Sequence, residues 1–598
     1  MQGRRQRITA LFFHKRTSAR GLGTVQIEEE CIMKKRFSLV LAAVMAASLA
    51  AAGCGGNGGG TTESTAASGG GDGSVEAESS SAGGSGESAS GKIDTAGFLV
   101  ACLNSDIQTA DVHKTTKDYE LPMNIYDCLV SVEVKDDGSS EVVPALAESW
   151  EISDDARTYT FHLRQDVTFH NGDPLKASDV EYSFNRQLST EGAVNTDFLA
   201  QIAGANELIE GTADKLEGFE TVDDYTFNIT LAEPYAGFLA CLSTPGCSIY
   251  SEKATEAAGD QFGLEPSLTI GTGPFKFAEW TLNDQLVLVR NEDYWKGASQ
   301  LPGVVVKIVP DTETQRMMFE NGQLDIVDMD YLPDAVDDFT SRYPDQIISG
   351  PRLGTTYFTM NQNIEPFQDV KVRKAVQMAI DRQSVLDAMY GGRGQLENGI
   401  FPHGLYGFNE NLPVIEYDPE GAKALLAEAG YPNGFDMEID ADSSASDAVN
   451  QALEIIQAQL GEIGINAEIK TMDESTWLAT RKAGEMGSFM STWTADYNDP
   501  DNFIYTFFGS AENTKLRSLN YPDAEVIERV KKARSIVDPD ERVAEYHALE
   551  EKIVSEDAAW VPMYSRLHPF AVSKRVQGFK VSWSGLGDVY FYGLSLSE

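Results

Sequence analysis

The chain has 598 residues, too many for one hydrophobic core, so two or more lobes are expected. Apolar residues make up 42% and aromatics 10%, ordinary values for a folded protein. The net charge of -45 argues against nucleic acid as a partner, because no basic stripe exists to neutralise phosphates; it fits a highly soluble surface and leaves open an attraction for cationic ligands.

Residues 1–32 do not fit a signal peptide. Glu28-Glu29-Glu30 just before Met33 looks like a translated ribosome-binding site, so synthesis is expected to start at Met33. Met33-Lys34-Lys35-Arg36 then opens a basic segment, followed by the apolar stretch Phe37 to Ala52 and by Ala51-Ala52-Gly53-Cys54. A basic start, a short apolar run and small residues describe a secretory signal over 33–53, the run being shorter than the ~20 residues of a membrane span. A cysteine directly after small residues resembles a bacterial lipobox, which implies cleavage before Cys54 and acylation there, although Ala51 stands where leucine is usual. The alternative is an ordinary signal peptide. Several acyl chains would hold the protein to the outer face of the cell membrane. Residues 54–92 are nearly all Gly, Ser, Ala, Thr and Glu without an aromatic, the composition of a flexible tether.

From Lys92 onward strand and helix signals alternate, which is an α/β pattern with mixed sheets. Gly97 to Cys102 reads as a buried strand, and Thr158 to Leu163 alternates as a half-buried one. Asp418-Pro419-Glu420 starts a helix with an N-cap, a proline at the first position and an acid in the first turn; Gly430 and Pro432 stop it. Leu453, Ile456, Leu460 and Ile463 give the next helix its core face, and Ile465 to Met472 follows as a strand. Of the six cysteines (Cys31, Cys54, Cys102, Cys128, Cys241, Cys247), none forms a C-x-x-C pair, and the seven histidines include no H-x-x-x-H. No metal site and no cofactor are expected. Cys241 and Cys247 either form a short disulfide or stay buried thiols.

Several motifs occur in order: Pro144-Ala145-Leu146-Ala147-Glu148-Ser149-Trp150, Asn171-Gly172-Asp173-Pro174, Gly271-Thr272-Gly273-Pro274-Phe275, Asn291-Glu292-Asp293-Tyr294-Trp295 and Pro366 to Ala375. Together they resemble the family 5 extracellular solute-binding proteins, the dipeptide- and oligopeptide-binding components of ABC importers, over residues 95–598. The resemblance implies a two-lobed periplasmic-binding-protein-like fold of class C type, with a hinge and an extra small subdomain. Lobe I would comprise 93–137, 223–305 and 563–598, the small subdomain 138–222 and lobe II 306–562. It also implies a short peptide as ligand and the importer's permease subunits as partners.

The segment Trp493-Thr494-Ala495-Asp496-Tyr497-Asn498-Asp499-Pro500 carries the most chemistry. In peptide-binding relatives the aspartate matching Asp496 receives the ligand's α-ammonium, the one cation every unblocked peptide shares; the alternative is a turn cap beside Asp499-Pro500. Trp493, Thr494 and Tyr497 either wall the pocket or belong to the core. Backbone around Lys117, Asp118 and Tyr119 would suit a ligand read as an added strand. Arg481 matches an arginine lining the oligopeptide-type pocket and is a candidate carboxylate anchor, with a solvated surface arginine as the alternative. Residues 442–448 lack the arginine that dipeptide-specific relatives place there, which favours longer or less strictly anchored peptides.

Nothing supports catalysis: no G-x-S-x-G, H-E-x-x-H or phosphate loop appears, and His162 and His170 have no nucleophile at a useful spacing. Asp499 and Asp501 resemble an acid–base pair only superficially, and an anchored hydrolase is the distant alternative. The nearer rival is a receptor of the same fold for a nickel chelate, glutathione, haem or an oligosaccharide.

Overall fold

The computed structural model describes residues 93–116, 119–135, 140–331, 335–582 and 589–597. The expectations for residues 1–92, Cys54 included, and for Asp118 lie outside the described residues.

The predicted local elements are present. Strand Leu99–Leu103 forms where the buried run was read, and strand Thr158–Leu163 alternates half-buried and buried residues throughout. Helix Pro419–Glu428 begins on Asp418, whose Oδ1 accepts the Gly421 N–H at 2.8 Å, and Pro419 sits where an N–H would go unpaired. Helix Asp447–Glu462 buries Leu453, Ile456 and Leu460 on one face and leads into strand Asn466–Met472.

Among the described residues, three larger sheets stand beside three two-stranded ones, in one of which Asn466–Met472 pairs parallel to Asp436–Asp442. In the first of the larger sheets, Leu99–Leu103 pairs parallel to Gly303–Ile308, which continues antiparallel through Gln285–Arg290 to Phe275–Thr281. The second is an antiparallel four-stranded sheet in the order Ala147–Ile152, Thr158–Leu163, Thr226–Thr230, Phe219–Thr221. It therefore continues past the subdomain limit placed at 222.

The third sheet is built around the 13-residue strand Trp560–Val572. Its first half pairs with Gly354–Thr359 and Gly394–Leu396, its second half with Ile347–Pro351 and Ile326–Asp328. Side chains of this one strand enter several cores: Val561 and Met563 pack with Leu453 and Ile456, Trp560 with Phe503 and Phe507, and Phe570 and Val572 with Leu99 and Leu288. The limit expected at 562/563 lies inside this strand.

The Gly-Thr-Gly-Pro-Phe motif has a steric explanation. A Cβ on Gly271 would lie 1.9 Å from the Ile125 carbonyl oxygen, and one on Gly273 2.6 Å from the Ile125 carbonyl carbon. Only glycine lets the two chain segments approach this closely.

Candidate ligand-binding site

Strand Met490–Thr494 lies antiparallel to Gly354–Thr359, with Trp493 opposite Thr355 and Thr494 opposite Gly354. The Ala495 N–H donates to the Leu353 carbonyl at 2.7 Å, which ties the chain down just before it leaves the sheet. Asp496 is the first residue beyond that tie and turns outward to solvent. Asn498, Asp499 and Pro500 are buried again, and helix Asp501–Phe508 follows.

A residue the sequence reading missed sets this geometry. Asn502 is buried, and its Oδ1 accepts both the Asp496 N–H and the Trp493 Nε1–H at 3.1 Å. Its Nδ2 donates to Asp496 Oδ2 at 3.0 Å. One amide thus links the aromatic wall to the carboxylate. No cation lies within ion-pair distance of Asp496 among the described residues. The surrounding protein pushes its carboxyl above the usual range; the Asn502 amide opposes this, the nearby Asp197 adds to it and Arg517 offsets part. The outcome is a carboxylate that is reachable from solvent yet poorly hydrated and unneutralised.

Tyr497 faces the other way. Its hydroxyl donates to Asp501 Oδ2 at 3.3 Å, and its ring packs against the cluster containing Tyr235 and Phe238. Asp499 and Asp501 are held by cations from distant helices: Arg542 donates to both oxygens of Asp499 at 2.5 and 2.7 Å, and Arg534 meets Asp501 at 3.2 Å. Carboxylates paired with arginines in this way are tied up in structural ion pairs. His170 is equally committed: its Nδ1 accepts the Gly271 N–H at 3.2 Å, its Nε2 meets the Gly273 carbonyl at 3.0 Å, and burial pushes its pKa down to about 4.

Arg481 occupies the last turn of helix Glu474–Ala483, its guanidinium 5.1 Å from the Trp477 ring centre. A second arginine absent from the sequence reading, Arg517, stacks 4.5 Å over the Trp493 ring. Thr494 stays half-buried in its strand. The Tyr119 hydroxyl donates to Asn195 Oδ1 at 3.2 Å, and Asp197, two residues on, is the acid whose charge acts on Asp496. Tyr119 also lines a cavity of about 510 Å³ with Asp127, Lys296, Tyr590 and Tyr592, which shares no lining residue with 493–497.

Asp328, Asp330 and His568 could by spacing hold a metal. Arg352 and Arg566 already donate to Asp330 at 2.8 and 3.1 Å, and His568 Nε2 meets Asp328 at 2.7 Å, so both carboxylates are engaged in an ion-pair network, while His568 Nδ1 lies 3.6 Å from Asp330 without a hydrogen bond. Cys102, Cys128, Cys241 and Cys247 are free thiols, and burial pushes those of Cys102 and Cys128 up to about 12.

Comparison with known proteins places this geometry in context. Residues 141–515 match the family model described as bacterial extracellular solute-binding proteins, family 5 middle. The chain is 32% identical over 476 residues to Heme-binding protein A of Haemophilus influenzae, covering 77% of this chain and 85% of that protein. It is 31% identical over 494 residues to the dipeptide-binding protein of Escherichia coli, covering 79% and 89%. Among solved structures, the periplasmic binding protein DppA from Helicobacter pylori in complex with peptide STSA superimposes with a TM-score of 0.62 at 29% identity, covering 84% of this chain and 98% of that one.

Proposed function

Since this chain belongs to the bacterial extracellular solute-binding proteins of family 5, receptors that serve ABC importers and are not enzymes, we propose that its ligand is a short peptide held by its free amino terminus. The observation that carries this reading is Asp496: a solvent-facing carboxylate, crowded by protein, fixed by Asn502 and lacking a cation. An α-ammonium supplies the missing charge, and its N–H donors reach Oδ1, the oxygen that Asn502 leaves free. Trp493 and Thr494 form the wall beside it, while Tyr497 braces the loop from behind through Asp501. Backbone at Tyr119 adds to the ligand contact, and Arg481 stands ready for the ligand's negative end. Two lobes close on the peptide about a hinge, and the closed form meets the permease subunits.

Removal of the signal before Cys54 and acylation of that residue tether the receptor to the outer face of the cell membrane through the segment 54–92. Among the described residues, no helix is long and apolar enough to cross a membrane.

Calorimetric titration of the ligand-free protein with two- to six-residue peptides, each with a free or an acetylated amino terminus, tests the reading. Binding requires the free amine and disappears in Asp496→Ala; equal affinity for acetylated peptides would remove Asp496 as the anchor. A second reading, haem as the ligand, is favoured by the relative named a heme-binding protein. A Soret-band titration that saturates at one haem per chain, with no peptide bound, would replace the first reading by the second.

A further inference from the structure

The cavity of about 510 Å³ separates strand Val130–Val134 from residues 578–582 and 590–594. Val130, Ser131, Val132, Glu133 and Val134 all line it. Successive side chains of a strand point to opposite faces, so a cavity that touches all five runs along the strand's edge. That edge is open: among the described residues the strand pairs only with Ser140–Pro144, on its other side.

The wall is mainly apolar. Met123, Val132, Val143 and Val581 are half-buried there, and Tyr119, Tyr590 and Tyr592 complete it. The tyrosine hydroxyls are engaged: Tyr119 with Asn195, Tyr592 with the Lys296 carbonyl at 2.9 Å, and Tyr590 with the Tyr294 hydroxyl at 3.4 Å. Asp127 has both oxygens occupied, Oδ1 by the Tyr294 hydroxyl at 3.0 Å, Oδ2 by the Thr272 hydroxyl at 2.9 Å and Trp295 Nε1 at 3.2 Å. Lys296 and Glu133 are exposed, and their charges act on one another. Two buried side chains fix the far wall. The Val589 N–H donates to Glu120 Oε2 at 2.6 Å and the Phe591 N–H to Asn124 Oδ1 at 2.9 Å, which holds Tyr590 and Tyr592 in place. Folded interiors leave few voids larger than a water molecule, and mainly apolar spaces of about 300–1,000 Å³ are the size of ligand pockets.

Two lining residues lead to the Asp496 loop. Tyr119 bonds Asn195, two residues before the Asp197 whose charge acts on Asp496. Val134 pairs with Ser140, whose Oγ accepts the Asn498 Nδ2–H at 2.5 Å. A peptide extended at about 3.4 Å per residue spans roughly 17 Å in five residues, the length of the five-residue strand itself. Laid along an open edge, such a chain turns alternate side chains into the space beside it.

We propose that this cavity receives a large apolar side chain of the bound peptide, whose backbone runs along the open edge of Val130–Val134. This inference rests on the peptide reading above. It gives the receptor a preference for peptides with an aromatic or long aliphatic residue beyond the anchored amino terminus.

The test is calorimetric titration of wild type, Val132→Trp and Val143→Trp with pentaalanine and with its variants carrying phenylalanine at position 2, 3, 4 or 5. Wild type binds at least one phenylalanine peptide about tenfold more tightly than pentaalanine. In the tryptophan variants the indole occupies the cavity, and this preference shrinks below about threefold while pentaalanine binds as in wild type. Equal affinity for all the peptides in wild type overturns the cavity assignment and leaves the peptide reading standing. So does a preference that persists in a variant that still binds pentaalanine. If wild type binds no peptide, the peptide reading falls and this inference falls with it. Should neither variant bind pentaalanine, fluorescence quenching decides. A 4-nitrophenylalanine at the preferred position quenches Trp295, so the quench is smaller in Trp295→Phe; an equal quench overturns the assignment.

Discussion

Replacing Asn502 by alanine removes the amide that joins Trp493 to Asp496. Asn502 is 3% exposed and makes three side-chain hydrogen bonds, at 3.1, 3.1 and 3.0 Å. Each contributes about 0.5–1.5 kcal/mol net, the one to a charged carboxylate lying at the upper end. Trp493 Nε1 retains the Asn502 backbone carbonyl at 3.1 Å, so little is lost there. The expected destabilisation is about 2 kcal/mol. The same substitution acts on ligand binding. The Asn502 amide holds the Asp496 pKa down against burial and Asp197, so without it the carboxylate neutralises at higher pH. Peptide affinity in Asn502→Ala should therefore fall more at pH 5 than at pH 8. Urea unfolding followed by tryptophan fluorescence measures the first effect, and peptide titration at both pH values the second. A stability change below about 0.5 kcal/mol, within the range of an ordinary surface substitution, together with a wild-type pH profile would refute the clamp.

Two further predictions use the same physics. Crowding by the surrounding protein, together with Asp197, raises the folded pKa of Asp496 above its unfolded value, so its contribution to stability is fully present below about pH 4 and lost as pH rises through the folded value. Asp496→Asn should accordingly melt higher than wild type at pH 7 in the absence of ligand while losing the peptide; a lower melting temperature at pH 7 contradicts this. Glu550 accepts N–H bonds from Ile400 and Phe401 at 2.6 and 2.9 Å, yet burial pushes its carboxyl up to about 8. The folded state then keeps a proton that the unfolded chain releases above the ordinary glutamate value of 4.5, so stability falls by about 1.4 kcal/mol per pH unit up to about pH 8. Urea midpoints of Glu550→Gln across pH 5 to 9 should lack that slope, and an unchanged slope would exclude Glu550 as its source.

The local elements were legible in the sequence because their causes are local. Asp418 and Pro419 cap a helix through groups three residues away, and the Leu453, Ile456 and Leu460 spacing is a property of the helical repeat itself. The exit of Asp496 from strand Met490–Thr494 was likewise foreshadowed by the break from apolar residues to Asp496 and Asp499-Pro500. What that loop touches was not legible. Tyr497 turns inward because Asp501, itself neutralised by Arg534 from another helix, waits behind it. Asp499 is spoken for by Arg542, 43 residues on. Arg517 reaches Trp493 only because the strained turn at Ser518 and Asn520 brings it back to the end of the Arg481 helix. Periodicity and capping act over three or four residues, so a single sequence displays them; charge pairing and desolvation act through space between segments that only the packed sheets bring together.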